Sequence, residues 1–108
     1  MKQFIKLVLA ISVVMGSANV IAADVAKGKE KSVACAACHG VDGNSSSPMF
    51  PKIAGQHADY MIHALQGYKS AKRKNPMMQA TVGALSDEDI INLAAYFSAQ
   101  EGLQTLRR

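Results

Sequence analysis

Residues 35 to 39, which read Cys-Ala-Ala-Cys-His, are the part of the chain whose side chains and spacing are best suited to chemistry. Two cysteines three positions apart, followed at once by a histidine, form the pattern C-x-x-C-H, which attaches c-type haem. Cys35 and Cys38 fall on one side of a helical turn, so each sulfur can bond one vinyl group of the same haem. The adjacent imidazole of His39 then points at the iron. The motif therefore predicts one haem c, bound covalently through two thioethers, with His39 as an axial ligand.

Two other uses of these residues fit the chain less well. A structural zinc site needs four ligands. The sequence has only two cysteines, so His57 and His63 would have to complete the set in an unusual geometry. A thioredoxin-like dithiol shares C-x-x-C but belongs in a βαβ context, and no segment after residue 23 alternates in the manner of a strand.

A haem held on both faces by protein needs a second axial ligand. The sulfur and imidazole candidates after residue 23 are Met49, Met61, Met77, Met78, His57 and His63. Met61 lies on an apolar helical stripe and is explained by packing. Met49 follows the motif closely and should stay on the His39 side, while both histidines lie among polar positions that favour solvent. Met77 and Met78 lie late in the chain, where they can cross to the other haem face, and the residues alone leave both open.

Three helical segments must position these side chains. Residues 24–37 suit a short amphipathic helix, residues 57–69 carry one apolar stripe, and a third helix begins at Ser86, which can cap it ahead of three acidic residues. Residues 40–56 and 70–84 are rich in turn-forming residues and are predicted to be irregular. The apolar stripes of the last two helices are Ala58, Met61, Ile62, Leu65 and Tyr68, and then Ile90, Leu93, Ala94 and Phe97. The predicted fold class is all-α.

Two long irregular segments are unusual in a compact domain. The chain has 108 residues, no Trp, and few aromatic residues, and a domain of this size gains only marginal stability from side-chain burial. Both observations are explained if the irregular segments wrap a bulky apolar cofactor that completes the core. We therefore expect the chain without haem to be largely disordered.

The first 23 residues differ from the rest. Two lysines, a short apolar run and small residues ending at Ala23 predict a secretory signal peptide over residues 1–23, followed by one domain over residues 24–108. The apolar run is too short to span a bilayer comfortably, and an uncleaved anchor is the alternative. Without this segment, which holds two lysines and no acidic residue, ten basic and eight acidic side chains remain. Nucleic-acid binders carry a stronger and more clustered positive charge.

Four segments together resemble class I cytochrome c: CAACHGVDGNS, FPKIAGQ, NPMM and LSDEDIINLAAYFS. The chain is similar to the short bacterial monohaem type, which is itself similar to one half of the dihaem periplasmic cytochromes. The resemblance implies the cytochrome c fold, with three main helices and long loops around one haem. It further implies Met78 as the second axial ligand, a Pro51 carbonyl that accepts the His39 Nδ1 hydrogen, and a close helix crossing at Gly28 and Tyr96.

The resemblance also implies a function. We expect a periplasmic electron carrier rather than an enzyme, exchanging electrons with redox partner proteins such as a membrane oxidase or reductase, and existing as a monomer or weak dimer. The alternatives are a haem enzyme or gas sensor with a labile sixth ligand, such as a peroxidase, and a domain that works only inside a larger oxidoreductase. A basic run before the methionines could guide docking: Lys69, Lys72, Arg73 and Lys74.

Overall fold

The computed structural model describes residues 11–13, 16 and 22–103. Most of the predicted signal peptide over residues 1–23 therefore lies outside the described residues. Five helices follow in order: α1 (Val25–Lys31), α2 (Val33–His39), α3 (Ala58–Lys69), α4 (Pro76–Val82) and α5 (Asp87–Ser98). The described residues contain no strand, and the all-α class is confirmed. Within those residues, none of the helices has the length and apolar character that a membrane crossing requires.

The first predicted helix is present as two short ones. Asp24 begins α1 by accepting a hydrogen bond from the backbone N–H of Lys27, at 3.0 Å. The helical path is interrupted at Ser32, whose hydroxyl donates to the Lys29 carbonyl at 2.7 Å and so competes with the regular backbone pattern. Helix α2 then runs two residues beyond the predicted end and includes His39.

The prediction that residues 70–84 are irregular is wrong for α4. The Asn75 side chain accepts from the backbone N–H of Met78 at 3.1 Å, and Pro76 occupies the first turn. Asparagine is a preferred capping residue, and proline suits the first turn because it lacks an N–H that would be unpaired there. The Asn-Pro pair is therefore a helix start in this chain, although the same pair also signals a turn.

Helix α5 begins as predicted, at a reciprocal cap. The Ser86 hydroxyl accepts from the Asp89 backbone N–H at 3.1 Å, and the Asp89 carboxylate accepts from the Ser86 backbone N–H at 3.0 Å. The predicted stripe on α5 is buried throughout, and it meets the α3 stripe through Met61. The two helices thereby form the core of the domain.

Helices α1 and α5 cross in close contact at Gly28. A Cβ added to Gly28 would lie 2.0 Å from the Asn92 carbonyl oxygen and 2.9 Å from the Tyr96 Cβ, so no side chain fits. The crossing implied by the resemblance is present. A hydrogen bond from the Asp24 backbone N–H to the Asn92 Oδ1, 2.8 Å long, ties the start of α1 to the middle of α5.

Segment 40–56 is irregular, as predicted, and it folds back on itself. Gly43 has a positive φ of 87°, and its carbonyl accepts from the backbone N–H groups of Ile53 and Ala54 at 2.9 and 3.1 Å. Since Gly43 also lies against the Phe97 ring, a side chain there would clash. These hydrogen bonds to the Gly43 carbonyl hold the Phe50–Pro51 stretch beside the end of α2.

Candidate cofactor site

One cavity of about 410 Å³ lies between α2, the 40–56 segment and helices α3 to α5. Its volume is within the usual range for sites that hold small molecules and cofactors. The walls are mostly apolar, from Phe50, Ile53, Leu65, Leu93 and Phe97 among others. Core residues of α3 and α5 thus turn part of their surface toward the cavity as well as toward each other.

The two cysteines line this cavity from α2 and form no disulfide with each other. Burial, and then the neighbouring charge of Cys38, raises the pKa of the Cys35 thiol. Thiolates are the reactive form of cysteine, so the raised pKa keeps Cys35 in the less reactive thiol form, on the wall of an apolar cavity. The arrangement suits bond formation to a ligand held inside the cavity.

His39 presents one ring nitrogen to the cavity side. Its Nδ1 lies 2.8 Å from the Pro51 carbonyl oxygen. A carbonyl can only accept, so Nδ1 carries the hydrogen and Nε2 keeps its lone pair for a metal. The side chain is 8% exposed, and the Phe50 ring lies edge-on at a centroid distance of 6.5 Å. The bond implied by the resemblance is therefore present, and it fixes the orientation of the imidazole.

Both late methionines reach the same cavity from α4. Met78 is half-buried, whereas Met77 is 60% exposed. Met61 is buried in the core, as its stripe position predicts, although it too lines the cavity. Met49, in the segment that follows His39, also lines the cavity, but its side chain is 78% exposed.

The other histidines do not join this site. His57 and His63 are exposed, as predicted, and neither lines the cavity. Over the described ranges, no three His, Cys, Asp or Glu side chains are grouped closely enough to hold a metal ion. The zinc alternative therefore lacks a ligand set there.

Sequence reasoning missed three residues at the cavity mouth: Tyr60, Tyr68 and Arg73. The two tyrosines lie eight residues apart on α3, a spacing that keeps them on the same broad side of the helix. That spacing was a usable signal for the tyrosines. No sequence signal placed Arg73 here, because a turn of the backbone brings it back over α3.

These features together fit a flat, apolar group with a metal at its centre. The thiols can bond its edge, the imidazole can bind its metal, and a methionine sulfur from α4 is available within the same cavity. The remaining walls are mostly apolar.

Comparison with known proteins agrees with this geometry. A family model described as cytochrome c matches residues 25–100. Cytochrome c4 of Pseudomonas aeruginosa is 44% identical over 80 residues, which cover 74% of this chain and 40% of that protein. Cytochrome c-554(548) of Halomonas halodenitrificans is 41% identical over 83 residues, covering 74% of this chain and 100% of the relative.

A solved structure is similar as well. The crystal structure of reduced recombinant cytochrome c4 from Pseudomonas stutzeri matches with a TM-score of 0.72 and 43% identity, over 76% of this chain and 48% of that one. The chain thus spans less than half the length of the cytochrome c4 proteins but the whole length of cytochrome c-554(548).

Proposed function

The chain belongs to the cytochrome c family, and we propose that it is a periplasmic electron-transfer protein carrying one electron on a single, covalently bound haem c. The family implies covalently bound haem c. One observation carries the proposal: two thiols, an oriented imidazole and a methionine pair all face one apolar cavity. Haem c, when bound, supplies a reversible one-electron couple between ferric and ferrous iron.

In this proposal the chain supplies attachment, ligation and shielding. Cys35 and Cys38 form the two thioethers, and His39 binds the iron through Nε2 while Pro51 holds its Nδ1 hydrogen. Met78 would supply the second ligand to the iron, and a thioether in that role favours the ferrous state and raises the reduction potential. With His39 and Met78 both bound to the iron, no coordination site would remain for a substrate, which supports electron transfer rather than chemistry on a substrate.

Met78 is preferred to Met77 because its side chain is half-buried while that of Met77 is 60% exposed. The cap at Asn75 holds the Met78 backbone at the start of α4. In this assignment Met77 covers the cavity edge and contributes packing only.

Absorption spectroscopy of the exported protein tests the ligand assignment. We expect low-spin haem c bands and a long-wavelength methionine–iron band in the oxidised protein. The Met78→Ala variant should lose that band, while the matched Met77→Ala variant should keep it. A high-spin spectrum in the unaltered protein that shifts with carbon monoxide would instead favour an enzyme or sensor with an open sixth position.

Export with cleavage after Ala23 is part of the same proposal. Asp24, the next residue, is the N-cap of α1, so a cut there leaves the described helices complete. The mass of the protein isolated from the periplasm should correspond to a chain that begins at Asp24. A mass that includes residues 1–23 would favour the uncleaved anchor.

Docking of partner proteins is proposed to involve only part of the basic run. Lys69 donates through Nζ to the Leu85 carbonyl, and Arg73 is engaged with two tyrosines. Lys72 and Lys74 are exposed and have no ion pair within the described part of the chain. Oxidation of the reduced double variant Lys72→Gln, Lys74→Gln by hexacyanoferrate(III) at low salt should be slower than oxidation of the unaltered protein, and an unchanged rate would remove the docking role.

A further inference from the structure

The residues that follow α5, 100–103, are bonded to the irregular segment 40–56, and they are called the strap below. The Leu103 backbone N–H donates to the Ala54 carbonyl at 2.8 Å. The Asn44 side-chain amide donates to the Glu101 carbonyl at 2.7 Å. These two bonds join the strap to residues near both ends of the segment, so the strap holds those ends together.

The strap packs on the segment without any free space at Gly102. A Cβ added to Gly102 would lie 2.6 Å from the Ala54 carbonyl oxygen and 2.8 Å from the Asn44 Oδ1. Ala54 is itself completely buried, so it cannot move outward to make room. Only a residue without a side chain permits this approach. A single methyl group at position 102 would therefore displace the strap.

The strap lies close in sequence to the carbonyl that orients the axial imidazole. Ala54 is three residues after Pro51, whose carbonyl oxygen lies 2.8 Å from the Nδ1 of His39. Over the described residues, the first backbone N–H groups after Pro51 that donate to other backbone groups are those of Ile53 and Ala54, both bonded to Gly43. The strap bonds to Ala54 directly. The position of the Pro51 carbonyl is thus fixed on this side by contacts that end at the strap.

The chain before Pro51 is held less firmly. The Phe50 backbone N–H donates to the Ser47 carbonyl at 3.3 Å, and the Met49 N–H donates to the Ser47 hydroxyl at the same distance. The Met49 side chain is 78% exposed. A proline has no N–H of its own to donate. The position of Pro51 therefore depends chiefly on the Ala54 side, where the strap is bonded.

We propose that the strap is a positioning element for the axial imidazole: by fixing Ala54, it keeps the Pro51 carbonyl at the Nδ1 hydrogen of His39. This inference rests on the proposed haem c function. A hydrogen bond donated by Nδ1 makes an imidazole a more basic ligand, and a more basic ligand stabilises ferric iron more than ferrous iron. An intact strap therefore lowers the reduction potential.

The reduction potential of haem-loaded Gly102→Ala tests the proposal. The added methyl group displaces the strap and lengthens the hydrogen bond at Nδ1 of His39, so the potential should rise. In the reduced protein, the NMR resonance of the Nδ1 hydrogen should move upfield, because a weaker hydrogen bond deshields the proton less. A strap that only closes the fold predicts the opposite sign, since loosening would admit water, which stabilises the more highly charged ferric state and lowers the potential.

Asn44→Ala is a second variant, which removes the bond to Glu101 without adding an atom. Both the potential and the Nδ1 resonance should shift in the same direction as in Gly102→Ala, by a smaller amount. Asn92→Ala is the control for a general loss of stability, because it breaks the tie between α1 and α5 and Asn92 does not line the cavity. It should leave both readouts unchanged.

A potential that falls or stays constant in Gly102→Ala, or a rise that Asn92→Ala reproduces, would overturn the inference. If Gly102→Ala does not take up haem, the same criteria apply to Asn44→Ala. Absence of covalently bound haem from the unaltered protein would overturn the proposed function. A normal haem c spectrum with an unmoved Nδ1 resonance in the strap variants would overturn only the role of the strap.

Discussion

At the scale of single residues, Asn92 is the buried polar group on which the α1–α5 contact depends. It is 2% exposed, and its Oδ1 accepts the Asp24 backbone N–H. Asn92→Ala removes the acceptor of the Asp24 nitrogen, which becomes the amino terminus after the proposed cleavage, so the free energy of unfolding should fall by about 1–3 kcal/mol. Urea unfolding of the haem-loaded protein measures this. Ser98→Ala, which removes a hydroxyl bonded only to its own helix, should change stability by less than about 0.5 kcal/mol.

Residue types and spacing predicted part of the site, but not the two tyrosines and the arginine at the cavity mouth. Cys35, Cys38 and His39 are adjacent in sequence, so local spacing is enough to bring them together. Met77 and Met78 could not be separated from the residues alone, because their difference is one of burial against distant segments. The position of Arg73 at the cavity could not be predicted. It depends on a backbone turn in which Ala71 has a φ of 62°, and an alanine in a sequence gives no sign of such a conformation.

At the scale of helices, Gly28 is required by the distance between α1 and α5. Gly28→Ala would bring a Cβ to 2.0 Å from the Asn92 carbonyl oxygen, so the two helices would have to move apart. We expect the free energy of unfolding to fall by roughly 3 kcal/mol. A lower melting temperature of the haem-loaded variant would measure this loss of stability. The matched change Gly83→Ala meets nothing nearer than 3.3 Å and should alter stability by less than about 1 kcal/mol. Equal effects at both positions would contradict the crossing.

The cap of α5 makes stability depend on pH. The hydrogen bond from the Ser86 backbone, followed by smaller effects of the Ser86 hydroxyl and Lys31, holds the pKa of Asp89 below its usual value. Because the folded-state pKa is below the unfolded one, this carboxylate stabilises the fold at neutral pH, and the stabilisation is lost as the pH falls through the lowered pKa.

Asp89→Asn should therefore be less stable than the unaltered protein at pH 7, with a difference that shrinks on acidification below about pH 4. Chemical unfolding at a series of pH values measures it. Asp87→Asn, at a position in the same turn without a reciprocal side-chain bond, is the control and should give a smaller difference. A difference between Asp89→Asn and the unaltered protein that stays constant with pH would contradict the role of the cap.

Helix boundaries were predictable where a cap and an apolar stripe agree, and not elsewhere. At α5, Ser86 and the buried stripe give the same start. At α4, Asn75 and Pro76 give a start but only a single turn of cavity-facing residues follows, so periodicity had too few positions to distinguish a helix from a turn. The break at Ser32 has a similar reason, because it depends on one hydroxyl bonding back to Lys29.

At the scale of the whole molecule, the core and the cofactor cavity share their walls. Met61, Leu93 and Phe97 belong to the hydrophobic core and also line the cavity. A chain without the cofactor exposes these faces to water and loses much of its apolar burial. The Cys35→Ala, Cys38→Ala variant, purified free of haem, should therefore lack a cooperative thermal transition by circular dichroism. A sharp transition near that of the haem-loaded protein would show that the helices pack without it.

The α1–α5 crossing also brings the start of the first helix close to the last helix. The Asp24 nitrogen lies 2.8 Å from Asn92, and α5 continues only to Ser98, roughly 9 Å further along the helix. Cytochrome c4 of Pseudomonas aeruginosa is more than twice the matched length, which leaves room in that protein for a second domain of this size. We expect a chain of two copies in series to keep both cavities intact.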